Sequence, residues 1–425
     1  MYMNKKTAVV LGGTIPHCEL IRQLKDRGYY TILVDYYDNP PAKEFADMHI
    51  KESTLDEEKV LAIAEQYNAD LTISGCVDQA NKTACYVLEK MGKHYPYSYQ
   101  KASDITAKSY MKRIMLANGI PTAKYISVEK NYDKNIIDNL ESYGLYFPVI
   151  VKPTDSNSAN GVKKACNKRE LEQYLSEALE ISRTSRAIIE EFMTGAEISA
   201  YCYIHDHKAK LLMSAERICV TEGENKTIRN YATIAPARIS HQASLNAEHI
   251  AEQIANACEI DNTPFFFQGM VSGDDVKVIE FAPRVAGGIS FKTIKDNTGF
   301  DDIEAVIDSY LGMTPPLDTW HEPDFIYTAN TIFAHNCVFN HIEGVEELKA
   351  KGIIEDLLLA KTPGMTIDDH SDSASRVGLF TVKGKDMDEV LRKLNIAYKT
   401  MRVIDDKGAD VLRRDIDLAS RQGEW

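Results

Sequence analysis

A mixed α/β and α+β fold is predicted: a parallel-sheet, Rossmann-like domain at the N-terminus, followed by strand-rich α+β structure. Three observations carry this. Strand and helix patterns alternate through residues 1–105, strand-like runs dominate 147–290, and Pro315-Pro316 marks a boundary before a last block that mixes both. Alternating strands and helices imply a parallel sheet covered on both faces.

The elements follow in order. Thr7–Leu11 reads as a strand, Pro16–Arg27 as an amphipathic helix, and Tyr30–Val34 as a strand ending at Asp35. Leu55–Gln66 and Asp78–Met91 read as helices flanking a buried strand, Leu71–Ser74. Gly12-Gly13 stands where a dinucleotide phosphate loop would, but Thr14-Ile15-Pro16 breaks the GxGxxG spacing. Ligands of such sheets still gather at the strands' carboxyl ends, here Gly13, Asp35 and Cys76–Asp78. Lys108–Leu116 is a helix stopped by Asn118-Gly119 and Pro121. FPVIVKP, GVKKAC and RAIIEEFM running into AEISAYCYI are strand-like, with a helix at Lys168–Ser182. In 209–290 one helix, Ala247–Cys258, interrupts strands, and IHDHKAK and Asp274-Asp275 read as hairpin turns. The last block holds strands at Ile326–Phe333 and Val377–Val382 and helices at Val345–Lys351 and Met387–Met401. HNCVFNHIEG, 335–344, reads as core and turn residues, since it lacks metal-ligand spacing, and Arg413-Arg414 as a solvated helix face.

Composition narrows the function. A net charge of −14 and a pI near 5.3 argue against nucleic acid or an anionic membrane surface as partner. No apolar run approaches the length of a membrane-spanning helix, and the N-terminus enters a strand pattern at once, without a signal-peptide profile. The eight cysteines are scattered without a CxxC pair, as expected of reduced thiols in a cytoplasmic protein.

Four segments carry chemistry. Lys108 lies four residues before Lys112 on the helix preceding GIPT. Lys152 ends the FPVIVKP strand and is followed by DSNSANG, 155–161, whose amides can cradle phosphates. Glu190-Glu191-Phe192-Met193 offers backbone groups to an adenine edge, and Glu197 can accept from ribose hydroxyls. Glu280 ends the strand VKVIE, where a carboxylate can hold Mg²⁺, and Arg284 can steady a transferring phosphoryl group. Gly287 and Gly288 let backbone approach a ligand.

In this order, over roughly residues 105–300, the segments resemble the ATP-grasp superfamily, in its carboxylate–amine ligase branch, with likeness to L-amino-acid ligases, carboxyaminoimidazole ribonucleotide synthetase and biotin-carboxylase-like enzymes. The resemblance implies a pre-ATP-grasp domain at 1–105, an ATP-grasp domain at 106–318 with its lid subdomain at about 122–195, and a C-terminal α+β domain at 319–425. It implies ATP as cofactor with Mg²⁺, or Mn²⁺ as the alternative ion. Lys108 and Lys152 would reach the nucleotide. Ser158, Asn160 and Gly161 would belong to a mobile lid. Glu190, Glu191, Phe192 and Met193 would form the adenine hinge, and Glu197 would hold the ribose. Glu280 and Gln268 would bind metal, Arg284 and Lys226 would be catalytic, and Gly287, Gly288 and Asp78 would meet substrate.

Two departures stand out. Twelve residues before Glu280, where the family usually has an acid, stands Gln268, and Ala282 replaces the asparagine often found two residues after the glutamate. The implied reaction joins a small carboxylate, such as an amino acid, to an amine or thiol through an acyl phosphate, with small-molecule substrates and a homodimer as the family-level assembly. A purine-pathway ligase of the phosphoribosylamine–glycine type is the alternative, and a non-catalytic ATP-binding protein is the alternative of another class.

Overall fold

The computed structural model describes residues 5–133, 135–155, 161–222, 227–368, 375–423 and 425. It divides into two compact units. One comprises Met1–Gly195, Ala200–Leu212 and Ser240–Trp320, and the other Ala196–Ser199, Met213–Ile239 and His321–Trp425.

The first unit begins with the expected parallel sheet. Its strands Thr7–Leu11, Tyr30–Val34, Met48–Ile50 and Leu71–Ile73 lie in the order third, second, first, fourth. Alternate side chains of a strand face opposite sides, so a sheet covered on both must be apolar throughout. Val9, Val10, Leu11, Ile32, Leu33 and Val34 are accordingly all fully buried. Short Met48–Ile50 escapes prediction because each of its residues is only partly buried.

The same core takes in Ile303, Val306, Ile307 and Tyr310 of a helix, Asp302–Leu311, that hydrophobic periodicity does not reveal. Most of its residues are buried, so no polar stripe marks an outer face. Its buried Asp308 is paired with Arg27 at 2.5 Å, and Asp301 caps it by accepting from the Ile303 and Glu304 amides.

Next comes an antiparallel sheet in the order Tyr125–Glu129, Arg186–Glu191, Val149–Pro153, Lys163–Ala165. Helix Lys168–Ile181 buries Leu171, Leu175 and Ala178 against it. The hairpin Thr263–Ser272/Asp275–Ala282 packs against helix His241–Ala257. That helix starts at His241 rather than Ala247 because Ser240 caps it, its hydroxyl accepting from the Ala243 amide at 3.0 Å. Pro121 and Thr122 add to the hairpin: the Val278 amide donates to Pro121 O at 2.8 Å, and the Thr122 hydroxyl donates to Val278 O at 2.7 Å. In the IHDHKAK turn, Asp206 and His207 both take positive φ, as a two-residue hairpin requires.

In the second unit, Thr227–Ala235, Ile326–Phe333, Arg376–Gly384 and Leu357–Leu359 are sheet neighbours in that order. Helix Met387–Thr400 covers them through Val390, Leu394 and Ala397. Two expectations are corrected here. Cys337–Glu343 is a strand of a three-stranded sheet, not core and turn, and His341 is exposed on it. Arg413-Arg414 is not helical. Arg414 instead donates to Tyr398 O and Met401 O, both at 2.9 Å, satisfying carbonyls left open where helix Met387–Thr400 ends.

Gly195 is the most constrained glycine on the way to the site. It sits at φ +131°, and a Cβ there would stand 2.1 Å from the Val271 carbonyl oxygen. Gly195→Ala is expected to lower unfolding stability by about 1–3 kcal/mol, read as a fall in the thermal midpoint, whereas Gly273→Ala, which meets nothing within 4 Å, serves as the control for positive φ alone.

Candidate active site

A buried carboxylate between two lysines forms the centre of the site. Glu190 lies on strand Arg186–Glu191, directly opposite Ile150 on one neighbouring strand and Tyr125 on the other. Lys152 donates to its Oε1 at 2.6 Å, and Lys112 Nζ stands 3.2 Å from Oε2. All three side chains are buried. Burial would raise the Glu190 pKa, but Lys152 and then Lys112 outweigh it and hold the carboxyl below its ordinary value. Burial conversely pulls Lys112 down, against the pull of Glu190. Lys112 also donates to the Thr122 hydroxyl at 2.8 Å.

Lys112 was not among the residues singled out by motif. The available signal was its place one turn after Lys108, which puts both on one helix face. Lys108, the first residue of helix Lys108–Ala117, stands 3.7 Å from Glu280 Oε2. Gln268 lies directly across the hairpin from Glu280, and a β-bulge follows it. These five charged groups comprise three cations and two carboxylates, Gln268 adding none. The surplus positive charge suits a polyphosphate.

The other predicted residues are placed as follows. Glu191 pairs with Lys277 at 3.0 Å, and its amide donates to Lys124 O. Phe192 and Met193 leave the strand, with Lys164 Nζ 3.8 Å over the Phe192 ring. Arg284 is gripped bidentately by Asp78 at 2.5 and 2.6 Å, donates to Val285 O at 3.0 Å, and lies over the Phe266 ring. Burial opposes its charge, and Asp78 more than restores it, so its pKa is raised. A neighbouring network runs from Gly75, whose amide donates to Asn81, through Tyr97, whose hydroxyl donates to Pro283 O. The Val285 amide donates to Gly75 O, completing the join between the parallel sheet and the 283–285 segment. At Gly287 and Gly288 an added Cβ would meet nothing within 4 Å, so bare backbone is accessible there. Glu197 falls in the second unit, where it pairs with Arg217 at 2.8 Å. Ser158, Asn160 and Lys226 lie outside the described residues, and Gly161 is described at φ +77°.

Among the described residues, no three His, Cys, Asp or Glu side chains converge as a metal-binding group. One carboxylate, Glu280, facing one amide oxygen, Gln268, nevertheless fits Mg²⁺, which is commonly held by one or two carboxylates together with substrate phosphates.

The family described as D-ala D-ala ligase C-terminus matches residues 114–278. The chain is 26% identical over 418 residues to the formate-dependent phosphoribosylglycinamide formyltransferase of Ignicoccus hospitalis, covering 94% of this chain and 97% of that protein. It is 33% identical over 156 residues to D-alanine–D-alanine ligase A of Bacillus cereus, covering 36% of this chain and 46% of that ligase. By structure it is similar to the L-amino acid ligase of Bacillus licheniformis, with a TM-score of 0.78 at 16% identity over 96% of this chain and all of that one. It is also similar to phosphoribosylglycinamide synthetase of Anaerococcus prevotii, with a TM-score of 0.75 at 17% identity over 95% of this chain and all of that one. The fold is shared across both structures.

The Glu190 cluster makes a stability prediction. With its folded pKa held below the ordinary 4.5, Glu190 contributes stability that is present above that pH and lost as pH falls through the folded value. Glu190→Gln leaves two buried lysines uncompensated and is expected to cost about 3–5 kcal/mol at pH 7. Denaturant unfolding of both proteins from pH 3 to pH 7 checks this. The deficit should shrink towards pH 3.

Proposed function

We propose, on the premise that this chain belongs to the ATP-grasp ligases, that it joins a small carboxylate, an amino acid or similar compound, to an amine at the expense of ATP. The observation that carries the reading is the Lys108–Glu280 and Lys112–Glu190–Lys152 arrangement, three lysines set against two strand-borne carboxylates. Lys152 and Lys108 meet the nucleotide phosphates, and Glu191 and Met193 offer backbone to the adenine edge. Glu280 and Gln268 hold Mg²⁺, which when bound neutralises phosphate charge.

The chemistry follows from what a carboxylate lacks. It is a poor electrophile, so one of its oxygens first attacks the γ-phosphorus of ATP. A P–O bond forms and the bond to ADP breaks, giving an acyl phosphate. The amine then attacks the acyl carbon, the C–O bond to phosphate breaks, and inorganic phosphate leaves as the amine gives up its proton. Positioning and charge neutralisation supply the catalysis. Arg284, held by Asp78, Val285 and Phe266, is preorganised to stabilise the tetrahedral intermediate. Its cost of ordering is met before substrate arrives.

A second reading has its own support. Similarity along nearly the whole chain to a phosphoribosylglycinamide formyltransferase favours a ligase whose amine carries a phosphoribosyl group. ADP release with panels of acids and amines separates the two readings, and absence of turnover with any pair would leave a nucleotide-binding protein.

Lys152→Ala is expected to weaken ATP binding by roughly ten- to a hundredfold, since charge-assisted hydrogen bonds are worth about 1.5–3 kcal/mol. Calorimetric titration measures it, and unchanged affinity in the folded variant would place the pocket elsewhere. Glu280→Gln should raise the Mg²⁺ concentration needed for half-maximal ADP release, because no charged protein ligand would remain in that pair. Arg284→Ala should keep ATP affinity and lower kcat by about a hundredfold or more, as an interaction made in the transition state does.

A further inference from the structure

We infer that the mouth of the N-terminal sheet receives a phosphate-free amine or amino acid, met by the Asp78 carboxylate, because the loop that would hold a phosphate is already filled by the protein's own side chains. The inference rests on the ligase reading and chooses between its two forms.

The loop in question is Gly12-Gly13-Thr14, between strand Thr7–Leu11 and helix Ile15–Asp26. In a parallel sheet this position binds phosphate through backbone amides at the helix N-terminus. Here the Gly13 amide donates to Asp35 Oδ2 at 2.8 Å, while Asp35 Oδ1 accepts from the Tyr37 amide at 2.8 Å. The Thr14 amide donates to His17 Nδ1 at 3.1 Å, and the Thr14 hydroxyl lies 2.9 Å from the same nitrogen. An imidazole nitrogen that accepts from an amide carries no proton. Burial agrees, pulling the His17 pKa down to about 4 and keeping the ring neutral. His17 is therefore not a cation awaiting a phosphate.

Packing closes the same space. His17 is fully buried, with Cys76 Sγ 3.4 Å from its Nε2. A Cβ on Gly12 would meet the His17 ring at 2.8 Å, and one on Gly13 would meet Pro40 Cβ at 2.4 Å. A phosphate entering the loop would have to displace a buried ring and a buried carboxylate, and would meet the charge of Asp35. A compact ammonium group has the opposite preference. Asp78, whose side chain is 40% exposed while Arg284 is 13% exposed, is a part-exposed carboxylate at this edge. It sits at the start of helix Asp78–Lys90, both its oxygens accepting from Arg284, while part of its side chain stays exposed. An amine held there stands beside the guanidinium assigned to the intermediate.

Two arms test this with the full chain. In the first, hydrogen exchange at residues 12–17 is measured with inorganic phosphate and with pyrophosphate. No change is expected, and protection by either would overturn the inference. In the second, ADP release is compared for serine against O-phosphoserine, and for phosphoribosylglycinamide with formate. The phosphate-free amine should be favoured by at least about tenfold in kcat/KM. A preference for either phosphorylated amine would overturn the inference. Asp78→Asn should raise the amine KM about tenfold with the Kd for ATP unchanged, and an unchanged amine KM would also overturn it. If no amine releases ADP, the ligase reading fails, while the exchange arm, which needs no turnover, still decides whether the loop is closed to phosphate.

Discussion

The charge on Glu190 is the constraint around which the rest of the candidate site is arranged. A lone carboxylate buried in a sheet would be protonated rather than tolerated. It stays ionised because Lys152 reaches it from the adjacent strand and Lys112 from a helix. Each lysine is in turn buried only because the glutamate is there. The cluster therefore fixes three elements relative to one another: helix Lys108–Ala117 and strands Val149–Pro153 and Arg186–Glu191. Lys112 extends the arrangement through Thr122 to Val278, two residues before Glu280 on the same strand. The placement of Lys152 and the placement of Glu280 are thus tied to one interaction.

A similar dependence holds at the substrate end. Arg284 belongs to the segment after the hairpin, and Asp78 to the first turn of a helix of the N-terminal sheet. Their bidentate pair, with the Val285–Gly75 and Tyr97–Pro283 hydrogen bonds beside it, joins the N-terminal sheet to the candidate site. A guanidinium presents its donors in a rigid fork, so two parallel bonds to one carboxylate set its plane as well as its position. Lysine at 284 would keep the charge and lose the orientation.

Much of this was legible in the sequence where a local rule governs. The parallel strands and the helix at Lys108 follow from periodicity, and Gln268 is located by the ATP-grasp resemblance, its pairing with Glu280 then following because strand register turns a sequence interval into a spatial pairing. What was not legible depends on contacts between distant residues. Helix Asp302–Leu311 is buried on nearly every side and shows no stripe. Lys112 looks like a solvent-facing helix lysine until Glu190 is placed beside it, and nothing within thirty residues of either announces the other. Arg413-Arg414 reads as a solvated helix face, yet Arg414 serves carbonyls at the end of an earlier helix. Residues whose partners lie far along the chain carry no local pattern to be read.

Gln268 ties the electrostatics together. A second carboxylate opposite Glu280 would make six charged groups in balance, three cations against three anions. With glutamine there, the surplus positive charge stays with Lys108, Lys112 and Lys152. In the proposed function, attraction for a nucleotide would then depend less on an accompanying metal and more on fixed ammonium groups, two of which are already buried and ordered by Glu190. Fixed charge needs no reorganisation when phosphate arrives, which is the condition under which electrostatic stabilisation is most effective. On the proposed function, the neutral residue would shift the work of holding phosphate towards the lysine cluster, and so towards the buried glutamate that keeps that cluster in place.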